Sequence, residues 1–119
     1  MADYKPRTEL MIKQKIEDMI VYGNICLKQF PKTERYAMAA DIRRCMYELL
    51  ALVVAANKRY FKKNTLQEID VELDKLRTFI RLAANKNLKY LPVEKYANWA
   101  AMLDEIGKML GGWFKSINQ

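Results

Sequence analysis

Apolar residues recur along the chain at steps of three and four, the spacing at which side chains share one face of an α-helix. This pattern predicts helices over residues of about 8–30, 33–61, 65–87 and 92–115. Phe30-Pro31 separates the first two helices, because the residue before a proline avoids helical dihedral angles. Four amphipathic helices with short connections predict an all-α fold, an antiparallel up-down-up-down four-helix bundle.

The second predicted helix is apolar nearly all round, since only four of the 21 residues between Tyr36 and Ala56 are charged. One apolar stripe consists of Ile42, Met46, Leu49, Val53, Ala56 and Tyr60. A second stripe consists of Tyr36, Ala40, Tyr47, Leu50, Ala51 and Val54. One neighbouring helix cannot cover both stripes, so we expect identical copies of the chain to associate. The alternative is a wide contact with two helices of the same chain.

The third predicted helix has a clear start signal in Thr65–Glu68, which reads TLQE. In such a capping box the threonine oxygen accepts a backbone amide while the glutamate reaches back to the cap residue. Further along the helix, Asp74 is spaced to pair with Arg77. Arg81 has no such carboxylate, and is available to a neighbouring helix, a partner subunit or a phosphate.

The fourth predicted helix contains glycines near its end, at Gly107, Gly111 and Gly112. A glycine inside a helix costs about 0.5–1 kcal/mol relative to alanine. Close approach of another backbone would explain the cost, so Gly107, Gly111 and the neighbouring Trp113 are predicted to serve helix packing. The alternative is that Gly111 and Gly112 end the helix through a left-handed cap.

The composition predicts one domain, residues 1–119, because 51% hydrophobic content suffices for a core without disulfides or metals. The first ten residues lack the apolar centre of a signal peptide, and the longest apolar run, Leu49–Ala56, is too short to span a bilayer. We therefore expect a cytoplasmic protein, in which Cys26 and Cys45 are reduced and fill the core.

The residue types argue against an enzyme. The chain has no histidine and no CxxC spacing, so neither a zinc site nor a Ser-His or Cys-His nucleophile is expected. Its carboxylates stand at helical spacings beside lysines and arginines, which indicates solvated helix faces. No catalytic residue, metal site or cofactor is predicted.

The net charge of +7 favours a polyanionic partner such as nucleic acid. Four cations stand together near the end of the second helix, with Tyr60 and Phe61 between them: Lys58, Arg59, Lys62 and Lys63. Cations suit the dipole at a helix C-terminus. Equally, basic side chains interleaved with aromatic rings hold phosphates and stack on bases. The sequence leaves both interpretations open.

Three stretches together resemble a known family: FPKTERYAMAADIRR (30–44), LQEIDVELDKLRTFIRLA (66–83) and EIGKMLGGW (105–113). The chain resembles the accessory variability determinant (Avd) family of diversity-generating retroelements. That family belongs to a wider group of four-helix bundle proteins, which includes those encoded by intervening sequences in ribosomal RNA genes. The resemblance implies a ring-like homopentamer. It also implies a non-enzymatic partner of the retroelement reverse transcriptase that binds template RNA and supports mutagenic cDNA synthesis.

The favoured hypothesis is an accessory protein that binds RNA, DNA and the polymerase. The predicted phosphate-contacting residues are Arg43, Arg44, Lys58, Arg59, Lys62, Lys63, Arg77 and Arg81. Arg43 lies near the apolar stripe and has a structural alternative, a salt bridge between helices or subunits, whereas Arg44 points further outward. The competing hypotheses are a structural oligomer that recognises another protein, and a ribosomal-RNA-linked relative without a polymerase partner.

Overall fold

The computed structural model of the protein describes residues 4–117, and these residues form helices and no strand. The four α-helices are α1 (Tyr4–Leu27), α2 (Met38–Lys58), α3 (Lys63–Ala83) and α4 (Val93–Ile117). Both α1 and α3 pack against α2 and α4, so consecutive helices are neighbours around an up-down-up-down bundle about 48 Å long. Residues 1–3 and 118–119 of the predicted domain lie outside the described part of the chain.

The second helix is shorter than predicted at both ends. After Pro31, whose ψ of 147° is not helical, residues Lys32–Glu34 form a separate 3-10 turn, and α2 begins only at Met38. At the other end Arg59 is extended, with φ −85° and ψ 145°, so the helix stops at Lys58. The connection between α1 and α2 is therefore longer than predicted.

The predicted capping box at the start of α3 is wrong. The helix begins at Lys63, and Thr65 is a buried residue of its first turn rather than its cap. The Thr65 hydroxyl instead accepts a hydrogen bond from the Arg59 guanidinium at 2.6 Å. In a capping box this oxygen would accept a backbone N–H, but here it accepts a side chain of the preceding connection.

The apolar seams of the four helices meet in one continuous core, in which Trp99 is fully buried. The indole N–H of Trp99 on α4 donates to the Met19 sulfur on α1 at 3.3 Å. Beside this pair a Cβ at Gly23 would lie only 2.7 Å from the Trp99 ring. The absence of a side chain at Gly23 therefore leaves room for the Trp99 ring to reach α1.

The fourth helix continues through Gly111 and Gly112 to Ile117. No glycine among the described residues has a positive φ, so the left-handed cap considered for Gly111 and Gly112 does not form. Trp113 is buried in the core, whereas both glycines are exposed. In the protomer they leave bare helical backbone on the outer face of α4.

The two apolar stripes of α2 have different environments. Ile42, Met46, Leu49, Val53 and Ala56 of the first stripe are fully buried, while Tyr60, beyond the helix end, is 88% exposed. On the second stripe the side chains of Tyr47 and Val54 are 50% and 43% exposed. A single protomer therefore leaves apolar surface on α2.

Across residues 4–117, no helix is both long enough and apolar enough to cross a membrane.

Candidate nucleic-acid interface

The topology gathers the connections at two opposite ends of the bundle. We call the end formed by residues 28–44 and 81–95 the α1–α2 end, where the rings of Phe30 and Tyr90 lie 5.9 Å apart. The α2–α3 end comprises residues 58–68 and 108–117. The helical segments 14–27, 45–57, 69–80 and 96–107 form the waist between them, and residues 4–13 of α1 are counted in none of these groups.

Charge is segregated along the bundle axis. The α1–α2 end carries nine lysines and arginines against three carboxylates, and the α2–α3 end carries six against one. The waist carries three cations against eight carboxylates. Because like charges in one region sum into a field that attracts the opposite charge, both ends are suited to polyanions and the waist is not.

Three predicted phosphate contacts lie at the α1–α2 end. Arg44 has 72% of its side chain exposed and pairs with Asp41 of the same helix at 2.7 Å, an arrangement that solvent readily breaks. Arg43 is half-buried, and its Nε donates to the Asn24 side-chain oxygen on α1 at 3.1 Å. Arg81 is exposed in the last turn of α3 and makes no ion pair with any described residue.

Arg77 lies in the waist, and the predicted pairing with Asp74 is wrong. Its terminal nitrogen donates to the Leu103 carbonyl at 3.3 Å and lies 3.7 Å from the Asp104 carboxylate, both on α4. The side chain crosses to the neighbouring helix because Gly107 leaves room for the guanidinium, where a Cβ would overlap it. These contacts account for Arg77 without a phosphate.

The sequence predicts close approach of another backbone at Gly107. In the structure the group that lies against Gly107 is instead the Arg77 side chain. Nothing described lies within 4 Å of a Cβ built at Gly111. The packing role predicted for Gly111 thus has no partner within the described protomer, and remains a prediction.

The four-cation cluster of the α2–α3 end divides into two pairs. Lys62 donates to the carbonyls of Ala56 and Arg59 at 2.6 and 2.7 Å, which caps the C-terminus of α2. The Arg59 guanidinium donates to the Thr65 hydroxyl. Lys58 and Lys63 are exposed and make no ion pair within residues 4–117, so they are the members of the cluster best placed for a ligand.

The sequence prediction missed a pocket of about 620 Å³ at the α1–α2 end. Its cationic lining residues are Lys28, Lys32, Arg35 and Arg43. No carboxylate lines this pocket, and none of the four cations forms an ion pair with a described residue. The sequence does contain a signal for this pocket, because Lys28, Lys32 and Arg35 stand close together around Phe30-Pro31. The second helix was predicted to begin at about residue 33, and this early start concealed the longer connection.

Neither cysteine provides a reactive thiolate. Both are buried and unbridged, on α1 and α2. Burial raises the pKa of Cys26, and burial together with the neighbouring Glu72 carboxylate raises the pKa of Cys45 to about 12. At neutral pH both thiols are therefore protonated and act as apolar core groups. Within residues 4–117, no three carboxylates or thiols converge as metal ligands would.

Comparisons with known proteins and protein families identify the family of the chain. A comparison with curated proteins finds no match. A family model described as bAvd-like matches residues 10–117, from within α1 to the end of α4. Because this match covers most of the sequence and all four helices, the chain belongs to the bAvd-like family, a family of Avd-type accessory proteins.

Proposed function

We propose that this protein is a non-enzymatic accessory subunit of a diversity-generating retroelement. It binds the reverse transcriptase together with template RNA and cDNA in the cytoplasm, and so supports mutagenic retrohoming. The observation that carries the proposal is the match to the bAvd-like family over residues 10–117. No cofactor takes part in this role.

The charge distribution supports the nucleic-acid part of the proposal. Two basic ends flank an acidic waist, so a phosphate backbone is attracted to the ends of the bundle. The cations that contact phosphate are the exposed ones with no strong internal partner: Arg44, Lys58, Lys63 and Arg81. Arg43 acts with them, whereas the internal bonds of Arg59, Lys62 and Arg77 give these three a mainly structural role.

The exposed stripe of α2 supports self-association, and the assembly that we propose is a ring-like homopentamer. Tyr47 and Val54 present apolar surface to solvent, and Gly111 presents bare backbone on α4. Burial of such surfaces between identical copies stabilises an oligomer. Assembly repeats every phosphate contact around the ring, which strengthens binding to one long nucleic acid.

Co-expression with the reverse transcriptase encoded beside its gene tests the role. We expect the tagged protein to retain the polymerase at moderate salt, together with RNA that nuclease digestion removes. The control is the tagged protein expressed with an unrelated reverse transcriptase, which it should not retain.

Two results would contradict the proposal. Purification with ribosomal RNA and no polymerase would favour the ribosomal-RNA-linked alternative. Recovery of a homogeneous oligomer with neither polymerase nor nucleic acid would favour a structural oligomer.

A further inference from the structure

The pocket of about 620 Å³ at the α1–α2 end has the size and chemistry of a ligand site. Pockets of about 300–1,000 Å³ with an apolar wall and a few placed polar groups are typical of small-ligand binding. Here the wall is Leu27, Phe30 and Ala39, and four unpaired cations stand around it. Positive charge focused in a concave surface selects an anion.

We propose that this pocket binds one phosphorylated nucleoside, with its phosphate on Arg43 and the lysines and its base on Tyr36. The inference rests on the proposed function, since it names where an unpaired nucleotide of a single strand enters the protein. A free mononucleotide carries the same chemistry, and the experiment below separates the two sources.

Arg43 is held ready for a phosphate. The Asn24 side-chain amide donates to the Ile20 carbonyl at 2.9 Å, which turns its oxygen towards Arg43. That oxygen accepts the Nε proton of Arg43 at 3.1 Å, so the guanidinium plane is fixed. The two terminal nitrogens make no hydrogen bond with a described residue. They form the planar fork that binds two phosphate oxygens at once.

Lys28 and Lys32 add charge without fixed geometry. Both side chains are exposed and line the pocket on either side of Phe30-Pro31. Flexible ammonium groups follow a phosphate as point charges, so they add to affinity more than to orientation. The arrangement of one oriented arginine and several mobile lysines therefore suits a single phosphate rather than an extended acidic surface.

Tyr36 supplies a surface for the base. Tyr36 lies at the rim of the pocket and is 87% exposed. Its ring therefore contributes nothing to the packing of the core. Exposed aromatic rings beside cations serve as stacking platforms for unpaired bases. The pocket holds one unit of a strand, and the paired bases of a duplex are not accessible to such a ring.

The connection that carries these residues is held in place before any ligand binds. The 3-10 turn has backbone hydrogen bonds from Glu34 to Pro31 at 2.9 Å and from Arg35 to Lys32 at 3.2 Å. Phe30 is buried against Tyr90 of the α3–α4 connection. Preorganisation of this kind reduces the entropy lost on binding.

The test measures binding of a fluorescent single-stranded oligonucleotide and of a mononucleotide to the full-length protein. Stacking on one ring is worth enough that Tyr36→Ala should weaken oligonucleotide binding about tenfold, whereas Tyr36→Phe, which keeps the ring, should bind as the unmodified protein does. Arg43→Lys should weaken binding about fivefold, because lysine lacks the planar fork.

Lys32→Ala is a third variant, which should fold normally because Lys32 is exposed and its side chain makes no hydrogen bond with a described residue. Its matched control is Lys75→Ala, which removes an exposed lysine from the waist. We expect weaker binding from Lys32→Ala and unchanged binding from Lys75→Ala. Photocrosslinking of a 4-thiouridine strand should map to the peptide that contains Tyr36.

The outcomes separate the pocket from the wider function. If the unmodified protein binds strands and Tyr36→Ala, Arg43→Lys and Lys32→Ala bind equally well, the pocket proposal is wrong while nucleic-acid binding stands. If polyglutamate displaces the ligand as well as an oligonucleotide does, the base is not recognised, which overturns the proposal. If strands do not bind but the mononucleotide does, and Tyr36→Ala abolishes it, the pocket stands while nucleic-acid binding fails. Binding of neither probe overturns both.

Discussion

Gly107 and Arg77 form one small unit between α3 and α4. The Arg77 guanidinium lies over Gly107, where a Cβ would overlap it, and donates to the Leu103 carbonyl at 3.3 Å. Its Nε is buried without a hydrogen-bond partner among the described residues, so the contact has a cost as well as a gain. Glycine at position 107 therefore leaves the space that the Arg77 guanidinium occupies.

This unit predicts that the effect of Gly107→Ala on stability depends on whether Arg77 is present. In the unmodified protein the new methyl displaces the end of the Arg77 side chain, and the lost contacts offset the gain in helix propensity, so the free energy of unfolding should change by less than about 0.5 kcal/mol. When Arg77→Ala is already present, only the gain in helix propensity remains. Gly107→Ala should then raise the free energy of unfolding by about 0.5–1 kcal/mol. Chemical denaturation of the four proteins measures both effects.

Gly112→Ala is the matched control, because nothing described lies within 4 Å of a Cβ at that exposed position. It should stabilise the helix by about 0.5–1 kcal/mol in either background. Equal stabilisation by Gly107→Ala in both backgrounds would show that Arg77 does not depend on the glycine.

The sequence predicts single residues well where periodicity alone decides their environment. Ile42, Leu73 and Trp99 are fully buried as their seams require, since a helical period fixes the face of each side chain. The partner of Arg77 was not predictable in this way. Asp74 is near in sequence, but Asp104 becomes near only when α3 packs against α4.

At the scale of elements, α2 has two apolar faces and only one of them has a partner in its own bundle. Its buried face packs against α1 and α3, while Tyr47, Ala51 and Val54 remain exposed to solvent. The alternative of a wide contact within one chain leaves these three residues unexplained. Exposed apolar surface along a helix is typical of a contact with another protein.

We predict that Val54→Glu dissociates an oligomer into smaller species. A carboxylate in an apolar interface loses its hydration without gaining a partner, which weakens association. Native mass spectrometry and sedimentation velocity give the subunit count. Val93→Glu, at an exposed apolar position in the first turn of α4, is the control and should leave the count unchanged.

A monodisperse monomer for the unmodified protein in dilute solution would contradict the use of α2 as an interface. Equal dissociation by Val54→Glu and Val93→Glu would show that the effect is not specific to this stripe.

The elements themselves were predictable, and their ends were less so. All four helices follow from apolar spacing, whereas the start of α2 depends on a 3-10 turn after Pro31. The start of α3 depends on Arg59, which takes the Thr65 oxygen from the backbone. Local sequence alone does not decide either helix start, and the candidate pocket is lined in part by Lys32, Arg35 and Tyr36, which precede α2.

At the scale of the whole molecule, the predicted phosphate contacts do not form a single site. Arg43, Arg44 and Arg81 belong to one end of a bundle about 48 Å long, and Lys58 and Lys63 belong to the other. The sequence does not give the position of each residue along the bundle axis, so it does not separate the cations of the two ends. A strand that contacts both ends must pass the acidic waist or bridge two copies.

Removal of exposed cations should therefore change the salt dependence of binding. For Arg44→Ala combined with Arg81→Ala, we expect weaker binding to RNA and DNA of any sequence. The slope of log affinity against log salt should also flatten by about 1–2, because fewer counterions are released. Fluorescence anisotropy at several salt concentrations measures the slope.

Lys75→Ala, a change in the acidic waist, should leave that slope unaltered. Equal slopes for the double variant and the unmodified protein would exclude Arg44 and Arg81 as phosphate contacts.

The alternation of basic ends and acidic waist also governs how free copies meet one another. Although the net charge of +7 repels at long range, the end of one bundle attracts the middle of another at short range, in a crosswise encounter. Salt weakens that attraction within about one Debye length. The protein should thus dissolve better in physiological buffer than in distilled water, and unbound stocks should cloud on dialysis and clear again when salt is restored.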